Sequence, residues 1–279
     1  MRSLLDALPH CREGLPDAGV VLEARDVSLT FGGVRAIHEV GFELNAGELF
    51  AIIGPNGAGK TSFLNCLSGV YRPQEGRIRF LGRDLAGLRP HRIAALGIAR
   101  MFQNVALFEN LTIVDNIMSG RNLHTRYGTL RGMFRSPRAR REDNANREVV
   151  EAIIEFLEIE PYRLLPVGML PFGIQKRVEL GRALAMEPKL LLLDEPVAGM
   201  NLEETADMAR FILDIREEVG IPMIMVEHDM GVVMDLADRI LVLNFGLTVA
   251  LDTPQRVQRD PDVIAAYLGD AGGHGAAAG

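Results

Sequence analysis

The chain has 279 residues, 48% of them apolar, which is enough for one large domain or for a core domain carrying a smaller lobe. Its formal net charge of -7 argues against nucleic acid as the main partner, because a phosphate backbone selects a strong basic field. The two cysteines, Cys11 and Cys66, fall in no metal or redox spacing, no apolar run is long enough to span a bilayer, and Asp6, His10, Arg12 and Glu13 leave no room for a leader's apolar stretch, so the expectation is a cytosolic chain with free thiols.

Residues 1 to about 20 read as a loose tail. From 21 to about 50 the chain reads as short strands: Val21-Leu22, then Val27, Leu29 and Phe31 alternate with polar residues, and Gly32-Gly33 makes a turn. Phe50 to Ile53 is an apolar strand that ends in a glycine-rich loop, with a helix from about Lys60 to Ser68. Gly76 to Leu81 alternates again. The middle differs in character. It carries Arg121, Arg126, Arg131, Arg135, Arg138, Arg140 and Arg141, then a helical stripe through Val149, Ala152, Ile153, Phe156 and Leu157. This predicts a helical lobe, about 112–180, inserted in a core domain of 21–269. The arginines read as a solvated face, with a lipid-headgroup or partner contact as the second reading.

From 173 the helix and strand patterns alternate. A helix through Ile174, Val178, Gly181 and Ala185 precedes the strand Leu190 to Leu193. A helix through Met208, Phe211, Ile212 and Ile215 precedes the strand Met223 to Val226, and Ile240 to Leu243 is a further strand. Continuous apolar strands alternating with amphipathic helices predict an α/β fold with a mostly parallel sheet. Residues 270–279, rich in glycine and alanine, are expected to be disordered, and no internal repeat is present.

Two segments carry chemistry. Gly54-Pro55-Asn56-Gly57-Ala58-Gly59-Lys60-Thr61 fits G-x-x-x-x-G-K-[ST] and lies between an apolar strand and a helix. Glycines let backbone N–H groups turn inward on phosphate oxygens, the helix start adds partial positive charge, Lys60 adds a full one, and the Thr61 hydroxyl can bind Mg²⁺; Ser62 follows in the same turn. A glycine-rich turn that binds nothing is the alternative. The second segment, Leu190 to Leu193 followed by Asp194-Glu195, places two carboxylates at the end of a buried strand, where α/β sheets bind ligands. Asp194 would hold Mg²⁺ and Glu195 would orient or deprotonate water. A helix cap is the competing explanation for such a pair.

Taken together, the phosphate loop, Gln103 in Met101-Phe102-Gln103, the segment Leu170-Pro171-Phe172-Gly173-Ile174-Gln175, Asp194-Glu195, Ala198-Gly199-Met200-Asn201 and His228 resemble an ABC-type ATPase cassette. The match in order and spacing runs from about 21 to 268. The resemblance implies a P-loop NTPase fold with an N-terminal antiparallel β part, ATP and Mg²⁺ as ligands, and a head-to-tail dimer. In that dimer each ATP lies between the phosphate loop of one subunit and the signature segment of the other. It also implies that Phe31 stacks on adenine, that Gln103 contacts Mg²⁺ and the attacking water and reports to a membrane partner, and that His228 bonds the γ-phosphate. For Phe31 a core strand aromatic is the second reading, and a lone histidine at 228 would usually be structural, which the family context reverses. The signature departs from the common L-S-G-G-Q: Pro171, Phe172 and Ile174 replace Ser, Gly and Gln, Gly173 is kept, and Asn201 stands where many cassettes have Asp. Loss of the hydroxyl weakens the expected contact with the opposite ATP.

The arginine-bearing lobe, Val226-Glu227-His228-Asp229-Met230 and the ending Pro261 to Gly269 look like the branched-chain amino-acid-type uptake family. That likeness implies an importer motor at the cytoplasmic face of a membrane, with a second ATPase subunit, two membrane-spanning permease subunits and, indirectly, an extracytoplasmic solute-binding protein. Two other classes compete. A soluble ABC ATPase acting on DNA or the ribosome would carry tandem cassettes, coiled coils or zinc modules, and a small-molecule kinase would need neither the signature segment nor His228.

Overall fold

The computed structural model describes residues 4–103, 106–124 and 137–271. Arg126, Arg131 and Arg135 of the expected arginine face, the Arg138 side chain and residues 272–279 of the expected tail lie outside them.

In chain order the elements are a short helix α1 (Leu4–Ala7), the antiparallel strands β1 (Val20–Phe31) and β2 (Val34–Asn45), and the wholly buried β3 (Leu49–Ile53), which leads into α2 (Lys60–Leu67). Strands β4 (Glu75–Phe80) and β5 (Arg83–Asp84), helix α3 (Pro90–Ala95) and strand β6 (Ile98–Met101) follow. Then come helices α4 (Ile113–Gly120), α5 (Pro137–Phe156) and α6 (Phe172–Leu184) and strand β7 (Leu190–Asp194). Helix α7 (Leu202–Asp214) runs on as a π-turn to Val219. The rest is β8 (Met223–Val226), α8 (Met230–Leu236), β9 (Arg239–Asn244), β10 (Leu247–Asp252), α9 (Pro254–Val257) and α10 (Pro261–Ala271).

The chain folds as two compact units. The first comprises Gly14–Leu96, Leu192–Pro196 and the described residues from Pro222 onward; the second holds the described residues up to Glu13, those of Gly97–Leu191, and Val197–Ile221. In the first unit a small antiparallel sheet runs β2-β1-β4-β5. Beside it β3 lies parallel between β8 and β9, with β10 antiparallel on the outer edge of β9 and the end of β7 beyond β8. Strands buried on both faces read as unbroken apolar runs, which is why β3, β7, β8 and β9 were visible in the sequence. Phe42 of β2 stacks on Phe50 of β3 at 4.4 Å and tilts against Phe63 of α2 at 5.5 Å, so three aromatic rings fix the helix behind the glycine-rich loop.

The second unit packs α4, α5 and α6 closely because α6 offers Gly181 at their meeting point. A Cβ there would lie 2.9–3.1 Å from Leu157, Ile117 and Ile153 side chains. Thr112 caps α4 by accepting from the Asp115 N–H at 3.1 Å. Three expectations are corrected here. Residues 4–13 are not loose: Leu4, Leu8 and Cys11, at helical spacing, are buried, and the His10 N–H donates to Glu187 Oε2 at 2.8 Å. Arg121 is not on a solvated face. It is buried, paired with Glu187 at 2.5 Å and hydrogen-bonded to Asn146 and the Ala185 carbonyl, while Arg140 and Arg141 are exposed as expected. The helical unit also reaches beyond 112–180, because β6, the start of β7 and α7 belong to it.

Candidate functional site

The strand β3 delivers Gly54 into a loop whose backbone only glycine can follow. Gly54, Gly57 and Gly59 have φ of 149°, 79° and 102°. A Cβ at Gly54 would lie 2.0 Å from the Leu243 carbonyl oxygen, and one at Gly59 2.3 Å from that of Ala36. The loop is therefore pressed against β9 and β2 with no side chain between, and it opens onto the start of α2. Gly59 caps α2 without a side-chain acceptor, so the first-turn N–H groups are presented as an anion cradle. Ala58 is buried, Asn56 and Gly57 form the exposed rim, and Thr61 and Ser62 are half-buried at the helix start. Lys60 folds back over the loop, its Nζ donating to the carbonyls of Gly54 at 2.7 Å and Pro55 at 2.8 Å. Burial pushes the Lys60 pKa down, and the nearby Glu195 and Asp194 pull it back up.

Those two carboxylates close the site from the end of β7. Both are buried, and Glu195 holds a left-handed backbone at φ 51°, a conformation costing on the order of 1–3 kcal/mol for a residue with a Cβ. Its N–H donates to the Val226 carbonyl at 2.8 Å, which ties it to β8, and its Oε1 lies 2.8 Å from His228 Nε2. The His228 backbone N–H donates to Glu227 Oε2 at 2.9 Å, and Asp229 caps α8 through the Val232 N–H at 3.2 Å. The loop after β8 is thus fixed from both sides, so His228 meets Glu195 in one geometry.

Phe31 stands at the end of β1, 44% exposed, with the Tyr71 ring edge-on at 5.0 Å. It is not a core aromatic; it is an open face at the rim of the same unit. Two residues of this unit escaped the sequence reading. Tyr71 backs Phe31, and Tyr267 of α10 hydrogen-bonds the backbone of Gly54, with burial pushing its phenol up to about 12. The only signal for Tyr267 was the chain ending Pro261 to Gly269, which marked a family and gave no role.

The other unit gathers the remaining candidates. Pro171 is the N-cap of α6, with φ −54° and ψ 150° and no side-chain cap, and its carbonyl accepts from the Gln175 N–H at 3.1 Å. A Cβ on Gly173 would lie 2.3 Å from Glu204 Oε1. That space is used: Glu204 accepts from the Asn201 N–H at 3.1 Å, and Asn201 Oδ1 accepts from the Glu204 N–H at 3.0 Å, a complete capping box for α7. Gln103 lies exposed after β6, and its carbonyl accepts from Lys176 Nζ at 2.8 Å.

Among the described residues no group of three or more His, Cys, Asp or Glu is arranged to hold a metal, and no helix is long and apolar enough to cross a membrane. The Thr61 hydroxyl and the Asp194 carboxylate are nevertheless hard oxygen donors of the type Mg²⁺ takes when phosphates and water supply its other ligands. The donor set therefore fits a magnesium ion carried in with a nucleotide.

Comparison with known proteins accounts for this arrangement. Residues 37–198 match the ABC transporter family, and residues 248–272 match the family described as branched-chain amino acid ATP-binding cassette transporter. The high-affinity branched-chain amino acid transport ATP-binding protein BraF of Pseudomonas aeruginosa is 38% identical over 90% of this chain and 98% of its own length. LivG of Escherichia coli, of the same description, is 36% identical over the same shares. Among solved structures, a nucleotide-free ATP-binding cassette from an ABC transporter superposes with a TM-score of 0.78 at 28% identity, covering 89% of this chain and 99% of its own. The ADP conformation of the cassette MJ1267 gives 0.78 at 28% identity over 90% and 99%. A backbone loop shaped to take an anion, a carboxylate–histidine pair beside it and these likenesses lead to one conclusion: the chain belongs to the ABC transporter family, as a nucleotide-binding, ATP-hydrolysing cassette.

Proposed function

We propose that the chain powers uptake of a branched-chain amino acid or a related small polar solute. The observation that carries the solute class is the match of the C-terminal residues 248–272, which include the Tyr267 that touches the phosphate loop, together with relatives named for that transport over nearly their whole length. In this reading the cradle of Gly54 to Thr61, with Ser62, binds the ATP phosphates and Phe31 stacks on the adenine. Lys60 exchanges the Gly54 and Pro55 carbonyls for the outer phosphates. Thr61, Asp194 and Gln103 hold Mg²⁺, which supplies positive charge to the phosphates when bound. Glu195 takes the proton of the attacking water, and His228 bonds the γ-phosphate. The reaction is phosphoryl transfer to water, in which positioning and charge stabilisation supply most of the catalysis.

Pro171 and Gly173 face the nucleotide of a second ATPase subunit, identical or paralogous, and closure of that pair drives two membrane-spanning permease subunits from the cytoplasmic face of the membrane. The solute-binding protein acts through the permeases. In the segment after Gln103, Phe108 and Leu111 are exposed and Leu107 is half-buried, and with the exposed Phe102 they suit the permease contact. The test is uptake by proteoliposomes holding this chain, the two permeases and the binding protein. ATP inside should drive accumulation of labelled leucine, isoleucine or valine and not of sulfate. ATP hydrolysis indifferent to the permeases would contradict the importer, and uptake confined to another solute would contradict the solute class.

A further inference from the structure

Lys176, Glu179 and Arg182 stand at three-residue intervals on α6, which puts them on one stripe of the helix. A lysine and a glutamate so fully buried, 0% and 1% exposed, are costly to place and need partners. Their partners are the backbone on either side of Gln103. Lys176 Nζ donates to the Gln103 carbonyl at 2.8 Å and the Phe102 carbonyl at 3.4 Å. Glu179 Oε1 accepts from the Phe102 N–H at 3.2 Å, and the backbone of Ala106 hydrogen-bonds Glu179 as well. Arg182 donates to the Ala106 carbonyl and lies 3.8 Å from Glu179, whose other oxygen is 3.9 Å from Lys176. The helix that holds both ends of this loop is the one that begins at Pro171 and carries Gly173 in its first turn.

We propose that Lys176 and Glu179 are positioning residues for ATP hydrolysis, which clamp the Gln103 loop to the signature helix so that Gln103 and Gly173 are set by one rigid element. Neither side chain touches the nucleotide. Lys176 fixes the peptide plane of Gln103 through its carbonyl and thereby the direction in which the Gln103 side chain leaves the backbone. The nucleotide-holding groups, Phe31 and Gly54 to Ser62, belong to the other unit. Loss of the clamp therefore slows the chemical step and leaves nucleotide binding intact. The inference rests on the proposed role of Gln103, and its test keeps the two apart.

The experiment compares Lys176→Met, Lys176→Arg, Glu179→Gln and Gln103→Ala in the full chain. Steady-state phosphate release, ATP affinity and thermal melting are measured for each. Lys176→Met should lower kcat by about tenfold or more, as misplacement of a reacting group does, with KM and affinity within about twofold. Lys176→Arg, which keeps a cationic donor, should recover most of that loss. Glu179→Gln keeps the shape and should raise amide hydrogen exchange at Phe102 and Ala106. If Lys176→Met does not fold, Glu179→Gln alone decides: wild-type kcat with unchanged exchange overturns the clamp. Wild-type kcat in a folded Lys176→Met beside a slow Gln103→Ala overturns the clamp and spares the Gln103 reading. Wild-type kcat in Gln103→Ala overturns the Gln103 reading itself. A fall in kcat and affinity together, unrelieved by arginine, shows a merely structural pair and also overturns the proposal.

Discussion

The two units hold their candidate residues by different means. In the phosphate-loop unit the geometry is made by backbone: three glycines at positive φ, carbonyls of Ala36 and Leu243 where Cβ atoms would have to be, and Glu195 itself in a left-handed conformation. In the signature unit the geometry is made by buried polar side chains that reach across the chain. Lys176 and Glu179 hold the loop at Phe102 and Gln103, and Arg121 holds Glu187 and Asn146; of these devices only the Glu204–Asn201 capping box beside Gly173 is local and near the surface. A backbone-built site separates chemistry from stability, because trimming one of its side chains leaves the loop in place. A side-chain-built site has no such backbone to fall back on, and substitution of its buried polar groups should cost stability whether or not they take part in the chemistry.

The largest effect expected falls on the first kind. With Lys60 in its proposed role as the main cation for the outer phosphates, Lys60→Ala should weaken nucleotide binding and abolish phosphate release. The melting temperature should hardly change, since Lys60 spends its hydrogen bonds on carbonyls of its own loop. Normal phosphate release by the purified variant would refute the phosphate-loop assignment; a large loss of stability would blur the contrast between the units.

Arg121→Ala tests the other side. It strands Glu187, almost fully buried, without its ion pair, and breaking such a pair typically costs about 3–5 kcal/mol. The chemical or thermal midpoint should drop markedly although Arg121 has no part in the proposed chemistry. A change below about 1 kcal/mol would show that the helical unit does not depend on its buried polar groups.

Phe31→Ala sharpens the comparison within the first unit. With stacking on a base worth about 1–3 kcal/mol, affinity for ATP should fall roughly tenfold with stability unaffected, and the loss should be smaller for inorganic triphosphate, which has no base. Equal losses for the two ligands would remove Phe31 from the site.

The smallest effect concerns Pro171→Ser. The structure makes Pro171 the helix N-cap, so a serine there gains both an N–H and a cap acceptor for the first turn, worth about 1 kcal/mol to α6. If its hydroxyl instead reaches the opposite nucleotide, ATP-dependent dimerisation rises several-fold, a hydrogen bond to a charged group being worth about 1.5–3 kcal/mol. Dimer fraction against ATP, with melting of the same two proteins, separates the outcomes. A weaker dimer would leave proline as the better choice for the turn.

The contrast between the units also explains what the sequence reveals. Backbone sites must be written locally, because the glycines that permit the conformation and the lysine that completes it lie within eight consecutive positions. Buried apolar strands are equally local, hence the clear reading of β3, β7, β8 and β9. Side-chain clamps join residues far apart in the chain, as Phe102 with Glu179 or His10 with Glu187, and nothing in a single sequence pairs them. The same holds for Tyr267 under Gly54. The stripe Leu4, Leu8 and Cys11 was readable in principle; it was hidden by its shortness and by the charged residues that follow. Strands β6 and β10 were missed because they are short or only half-buried at an edge, where alternation is faint.

The central claim is that Glu195, held by its strained backbone and His228, handles the attacking water in a site whose nucleotide grip is built elsewhere. Glu195→Gln isolates that function: it keeps shape and packing and removes the carboxylate. Phosphate release should fall by roughly 10²-fold or more while ATP affinity stays within about twofold, and the variant should accumulate in the ATP-bound, dimeric state. Wild-type turnover in Glu195→Gln, or loss of ATP binding along with turnover, would contradict the account.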